Sequence, residues 1–314
     1  MKIVVVDGYT LNPGDLSWDT IKAFGEMEIY DRTDPKDTAE RIREADIVLV
    51  NKLKLTREAL EGAKNLKYIV VQATGFDCVD REAAEELGIM VSNVPTYGTD
   101  TVAQFTIALI LELAHQIGRH SESVKRGGWV ESPDWSYQLS PQIEVRGKTL
   151  GIIGYGRIGQ RTAEIAQALG MEVITEKRGG REYDIPAVTL EELLETADFV
   201  SLHCPLTPET RGIIDKDSLA RMKEGAFLIN SSRGPLIVEQ DLREALDNGV
   251  IAGAAVDVIS EEPMREGNLL KEARNIIITP HIAWSAREAR IRIMATTVEN
   301  IESYLAGDVK NRVM

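Results

Sequence analysis

Cysteine is scarce in this sequence: Cys78 and Cys204 are the only two in 314 residues. Two thiols exclude a disulfide framework and fit a reducing compartment. Neither has metal-ligand neighbours at useful spacing, so no metal site is expected, and both read as small buried residues. Long apolar runs are missing as well. The longest, around Ile107–Leu111, is interrupted by Glu112 and His115. That is too short for the ~20 residues that span a bilayer. Strand-like sequence begins directly at Met1-Lys2-Ile3-Val4-Val5-Val6 with no signal-peptide pattern, so a cytoplasmic protein without membrane contact is expected. Basic clusters are the third absence. With 36 Lys and Arg against 50 Asp and Glu, the net charge is −14. A nucleic-acid surface is excluded, because phosphate binding rests on clustered Lys and Arg. In so acidic a chain, single cations beside a binding motif become informative.

What is present is the composition of a globular protein, 43% apolar and 27% charged, with length for two domains. Short β-branched runs alternate with amphipathic stretches, the pattern of parallel sheets covered by helices on both faces. Strands are predicted near 3–6, 28–30, 47–50, 68–71 and 89–91, then at 149–153, 173–175, 199–202, 227–230, 251–256 and 276–279. Between them, 38–44 and 80–87 read as helices, the second capped by Asp80 and ended by Gly88. One long helical pattern runs from about Asp100 towards Arg126. A loop rich in Gly, Pro, Ser and Trp follows over 127–147, and a last helix covers about 285–305. The expected class is α/β, with two doubly wound parallel-sheet units.

The sharpest local motif is Gly154-Tyr155-Gly156-Arg157-Ile158-Gly159. Such spacing alone is weak, but a strand precedes it and a helix, Gln160 to Leu169, follows. The first glycine permits the tight turn, the second lets backbone approach a pyrophosphate, and the third packs helix on strand. The helix N-terminus then offers unpaired N–H groups to phosphates. About twenty residues on, an acid normally bonds the ribose 2′-hydroxyl of NAD. Here Lys177 stands at that place, with Glu176 before it and Arg178 after. Either Glu176 binds the ribose of NAD, or Lys177 and Arg178 hold the 2′-phosphate of NADP.

Three further segments follow predicted strands, and each carries one chemically loaded residue. They are Asn230-Ser231-Ser232-Arg233-Gly234, Asp257-Val258-Ile259-Ser260-Glu261-Glu262-Pro263, and Thr279-Pro280-His281-Ile282-Ala283-Trp284. The carboxyl ends of parallel strands line one crevice, so residues far apart in sequence converge there. These segments, in this order, resemble the D-isomer-specific 2-hydroxyacid dehydrogenase family over essentially the whole chain. Asp7-Gly8-Tyr9, the Asn12–Trp18 stretch and Ser285–Arg290 resemble its glycerate dehydrogenase (hydroxypyruvate reductase) branch. Two features depart from the family pattern: Ile259 stands where an aromatic is usual, and the Asp after the second strand is missing.

The resemblance implies a flavodoxin-like substrate domain of residues 1–98 with 286–314, and a Rossmann cofactor domain of 99–285. It implies an NAD(P)-dependent enzyme that interconverts a small D-2-hydroxy acid and its 2-oxo acid, D-glycerate and hydroxypyruvate foremost, and glyoxylate. His281 is then the proton donor and acceptor, Glu262 its partner, and Arg233 the fork that holds the substrate carboxylate. Glu262 rather than Glu261 is chosen because it directly precedes Pro263. The nicotinamide carboxamide falls to Asp257. His203, Cys204, Pro205, Thr210, Ser231, Ser232 and Ala283 line the cofactor crevice beside the glycine loop. Thr74, Gly75 and Phe76 form a substrate loop with a backbone anion nest, and Trp284 walls the pocket. A homodimer is expected, with Trp135 in the long loop as a candidate contact.

Other readings have less support. A lone histidine is more often structural, and His115 and His120 on the long helix are read that way. A D-lactate-type dehydrogenase is the nearest competitor within the enzyme class. A non-enzymatic nicotinamide-sensing interaction protein of the same fold is opposed by intact Arg233, Glu262 and His281. An S-adenosylmethionine methyltransferase leaves the His281 segment without a task. Phosphoglycerate oxidation is disfavoured, because the sequence ends near its last helix.

Overall fold

The β-branched runs form two all-parallel sheets in a computed structural model that describes residues 1–314. The chain divides into two units, Met1–Gly98 with Ser285–Met314, and Thr99–Trp284.

The first unit holds β1 (Lys2–Val5), β2 (Glu26–Ile29), β3 (Ile47–Val50), β4 (Tyr68–Val71) and β5 (Met90–Asn93), in the order β2-β1-β3-β4-β5. This is the flavodoxin-like winding. β3 and β4 are buried at every residue, as central parallel strands covered on both faces must be. The edge strand β2 begins two residues earlier than predicted, at Glu26, because its glutamates hide the strand signal. The helix Arg81–Glu86 is capped as its sequence specifies, with Ala83 N donating to Asp80 Oδ1 at 2.9 Å, and Gly88 beyond it takes φ +67°. The last helix, Arg287–Leu305, lies on this sheet. Tyr304 stacks on Tyr68 at 4.3 Å, and Asn300 donates to Asn93 O at 2.9 Å.

The second unit holds β6 (Thr149–Ile153), β7 (Glu172–Glu176), β8 (Ala187–Val188), β9 (Phe199–Leu202), β10 (Phe227–Asn230), β11 (Gly253–Val256) and β12 (Ile276–Ile278). Their order, β12-β11-β10-β9-β6-β7-β8, is the Rossmann winding, with its switch point between β6 and β9. Alternate side chains divide between two cores. Leu150, Ile152 and Ile229 meet the helices Thr99–His115 and Arg157–Ala168, while Ile153 and Leu228 meet the opposite layer.

Three further departures from the predicted elements follow. The long helix breaks at Gln116, which adopts φ +47°, into Thr99–His115 and Ile117–Lys125. Only the first segment has a buried face, so the apolar stripe that marks a core helix ends there. The strand predicted from Ile251 starts at Gly253, and the two-residue β8 has no counterpart among the predicted strands. No single helix is long and apolar enough to cross a membrane.

Candidate active site

β6 leads into Gly154, whose φ of +101° favours glycine; a Cβ there would lie 2.3 Å from Cys204 N. The chain leaving β9 therefore sits against this turn. Gly156 is the N-cap of the helix Arg157–Ala168 and gives it no side-chain cap. A Cβ on Gly156 would meet nothing within 4 Å. Open space thus lies over the first-turn N–H groups of Arg157, Ile158 and Gly159, donors that a helix cannot satisfy internally. At Gly159 a Cβ would come within 2.5 Å of Gly154 O, so helix and strand pack without room for one. The cradle fits the pyrophosphate of a dinucleotide.

At the end of β7, Glu176 accepts from Arg178 Nε at 2.9 Å. The Glu176 side chain is only 10% exposed and that of Arg178 43%. Lys177 N donates to Val188 O at 2.7 Å and Arg178 N to Tyr183 Oη at 3.0 Å, which fixes the backbone of the turn while leaving the cations outside. Beyond β9, His203 Nε2 is 2.9 Å from Ser201 Oγ, and burial pushes its imidazole down to about 4, so it is neutral near pH 7. Burial also pushes the Cys204 thiol up to about 11. Thr210 is fully buried and shapes the turn, donating to Pro205 O at 2.7 Å and accepting from Thr207 N at 2.8 Å.

After β10, the buried Asn230 fastens the loop that carries Arg233. Its Nδ2 donates to Arg233 O at 2.9 Å and its Oδ1 accepts from Ser232 N at 3.0 Å. Ser232 Oγ donates to Cys204 O at 2.7 Å, and Ser231 Oγ lies 2.9 Å from Thr106 Oγ1. Arg233 Nη1 rests on Ser232 O at 2.8 Å.

After β11, Asp257 is 1% exposed. Burial raises its carboxyl above the ordinary range, opposed by bonds from Thr279 Oγ1 at 2.6 Å, Ile282 N at 2.9 Å and Ala283 N at 2.8 Å. These bonds brace the turn on both sides of His281. Its own N–H donates to Asp257 O at 2.8 Å. That bracing holds His281 at φ +53°, a conformation costing a non-glycine residue roughly 1–3 kcal/mol. So placed, His281 Nδ1 meets Glu262 Oε2 at 2.6 Å. Glu262 Oε1 accepts from Ile259 N at 3.2 Å. Glu261 turns away to pair with Arg265. A cavity of about 230 Å³, walled largely by Ile259, Met264, Ile278 and Pro280, borders the pair.

One nitrogen of the imidazole is therefore held by a carboxylate, on the unit that carries a dinucleotide cradle. The profile of the D-isomer specific 2-hydroxyacid dehydrogenase NAD-binding domain matches residues 107–283. The chain is 50% identical to a hydroxypyruvate reductase of Blautia hydrogenotrophica, with 100% of this chain and 99% of that protein covered. It belongs to the D-isomer-specific 2-hydroxyacid dehydrogenase family. Identity to a glycerate dehydrogenase of Methylorubrum extorquens is 37%, over 99% of this chain and 98% of that one. A solved structure of an acyclic imino acid reductase (Bsp5) in complex with NADPH and D-Arg superposes with a TM-score of 0.87 at 34% identity, covering 100% of both chains. The chain is an NAD(P)-dependent 2-hydroxyacid dehydrogenase of small hydroxy and oxo acids.

On the first unit, Thr74, Gly75 and Phe76 follow β4. Thr74 Oγ1 donates to Val94 O at 3.2 Å and Thr74 O accepts from Asn93 Nδ2 at 2.7 Å, so the loop is tied to the end of β5. Trp284 is buried at the end of the second unit. Two of the branch-like stretches meet on the first unit: Arg290, 8% exposed, grips Asp15 with two bonds of 2.6 and 2.7 Å and donates to Leu11 O at 3.2 Å. Sequence reasoning passed over Asn230 and Thr279, whose side chains position the loaded residues. An Asn or Thr at a strand's carboxyl end was the available signal.

Proposed function

We propose that this dehydrogenase reduces hydroxypyruvate to D-glycerate, takes glyoxylate as a smaller substrate, and accepts NADPH. The observation that carries the chemistry is the 2.6 Å bond between His281 Nδ1 and Glu262 Oε2. With Nδ1 committed to the carboxylate, Nε2 is the nitrogen left to face a carbonyl oxygen. When bound, the reduced nicotinamide supplies hydride to the carbonyl carbon. His281 gives its proton to the carbonyl oxygen, Glu262 stabilises the imidazolium before transfer, and Arg233 binds the substrate carboxylate and polarises the carbonyl. In oxidation His281 accepts the hydroxyl proton. Asp257 has three bonds filled, and the remaining acceptor capacity of its carboxylate suits the nicotinamide amide. Thr74, Gly75, Phe76 and Trp284 stand as substrate-binding residues on the family resemblance.

For the adenosine end, Lys177 and the exposed Arg178 suit a 2′-phosphate, while Glu176 suits the free ribose hydroxyl of NADH. The superposed reductase, solved in complex with NADPH, supports the phosphate reading. Exposed Val130 and Trp135, at 90% and 89%, support a homodimer contact on the 127–147 segment. A cytoplasmic location fits the two free thiols. The test is turnover of hydroxypyruvate, glyoxylate, pyruvate and 2-oxobutyrate, each with NADH and NADPH. Hydroxypyruvate is expected to have the highest kcat/KM. Pyruvate ahead of it would contradict the substrate assignment, and a preference for NADH above about a hundredfold would sink the phosphate pocket.

A further inference from the structure

Glu262 sits in a stretch, 260–267, that is exposed at every residue. Packing cannot fix it, yet its carboxylate must stay within hydrogen-bond reach of His281. Buried Ile259 and Leu270 anchor the ends of the loop. What holds the segment between them is one face of the helix Glu239–Asp247. Residues four apart share a helix face, and here Glu239 and Arg243 reach into this loop while Asp247 holds the backbone just beyond it. Glu239 Oε1 accepts from Ser260 N at 2.6 Å and its Oε2 from Asn268 Nδ2 at 3.3 Å. Arg243 Nη1 donates to Leu269 O at 2.7 Å, and Asp247 Oδ1 accepts from Arg274 N at 3.2 Å.

Within this clasp Glu239 has a distinct place. The helix has no side-chain cap at Val238, and the first-turn carboxylate is spent on the loop instead. Consecutive backbone N–H groups each point at a glutamate: Ile259 N at Glu262 and Ser260 N at Glu239. Opposite them, Gly234 abuts the same peptide so closely that a Cβ would fall 1.9 Å from Ile259 C. The turn that orients Glu262 is thus wedged between the backbone following Arg233 and the carboxylate of Glu239.

We infer that Glu239 is a positioning residue for the Glu262–His281 pair: it fixes the Ile259–Ser260 turn and thereby the distance across which the pair is made. Its carboxylate contacts Ser260 N and Asn268 Nδ2 rather than His281 or Glu262. The inference rests on the reading of that pair as the proton-transfer group, and a double-mutant cycle separates the two. In the full-length protein Glu239→Ala is expected to lower kcat for hydroxypyruvate about 10- to 100-fold, the scale of a misplaced catalytic group. The Kd for NADPH, read by fluorescence titration without substrate, stays unchanged. Glu239→Gln keeps an acceptor oxygen for Ser260 N and retains most of kcat. In a Glu262→Gln background Glu239→Ala should have no further effect, because there is no carboxylate left to position. The same fold-loss in both backgrounds, or no loss in the wild-type background, overturns the inference. A Glu262→Gln enzyme with normal kcat overturns the proton-transfer reading itself. If Glu239→Ala does not fold, Glu239→Asp, one methylene short of Ser260, runs the same cycle.

Discussion

The two sheets meet the same problem at their switch points and answer it in opposite ways. Between β1 and β3 of the first unit, the N–H groups of Asn51, Lys52 and Leu53 converge on one spot, a nest suited to an anion. Asp7, just beyond β1, fills it with its own carboxylate at 2.8, 2.6 and 2.8 Å. Between β6 and β9 of the second unit, glycine occupies the corresponding turn. Gly154 lets the chain close on Cys204, and Gly156 leaves the helix N-terminus without a side chain over it. One switch point is satisfied from within and the other is left for a ligand. The two windings therefore differ at this turn: the carboxylate of Asp7 fills one N–H cluster, and glycine leaves the other open.

The sharpest way to break this contrast is at the open switch point. Gly154→Ala puts a Cβ 2.3 Å from Cys204 N in a positive-φ turn. It should cost about 3 kcal/mol or more of stability and weaken NADPH binding at least about tenfold. Gly156→Ala should leave the thermal midpoint unchanged and weaken binding alone, because its Cβ enters only the ligand's space. Equal loss of stability in both would remove the distinction between a built turn and an open site. Next in size is Asp7→Ala, which strands three N–H groups of the closed nest. It should destabilise by about 1–3 kcal/mol in chemical denaturation, with no change in NADPH affinity.

Two acid-stability effects follow, of one sign. His203 is held neutral by burial, down to about 4, whereas the unfolded chain takes up its proton near ~6.5. Stability must therefore fall as pH drops from about 6.5 towards 4, and His203→Gln should flatten that slope. The Arg290 guanidinium beside Asp15 holds that carboxyl below the ordinary range. Its contribution is present above the ordinary carboxylate range and lost as pH falls through the lowered value. Asp15→Asn should make denaturation of the protein less acid-dependent below about pH 4. A steeper acid limb in either variant would contradict the assigned partners.

The sequence conveys what is local. β-Branched runs buried on both faces, the Asp80 cap and the glycine turn all carry signals within a few residues, and they appear in the structure near the predicted places. It conveys less where the determining partner is remote. The break at Gln116 follows from the loss of a buried face rather than from a helix-breaking residue. The Asp15–Arg290 grip joins two stretches from opposite ends of the chain, and nothing in either names the other. The choice of Glu262 over Glu261 rested on the following proline; the geometry turns one towards His281 and the other towards Arg265. Glu239 reads as an ordinary first-turn acid until the loop lying 21 residues on is seen against it.

The central claim is that His281, held by Glu262, carries the proton in hydride transfer to a 2-oxo acid. It is tested most directly by kcat for hydroxypyruvate in His281→Ala, measured beside the NADPH dissociation constant. A loss of about 10²–10⁴-fold in kcat with binding retained is predicted, the range of general acid–base catalysis. Turnover near the wild-type value would contradict it.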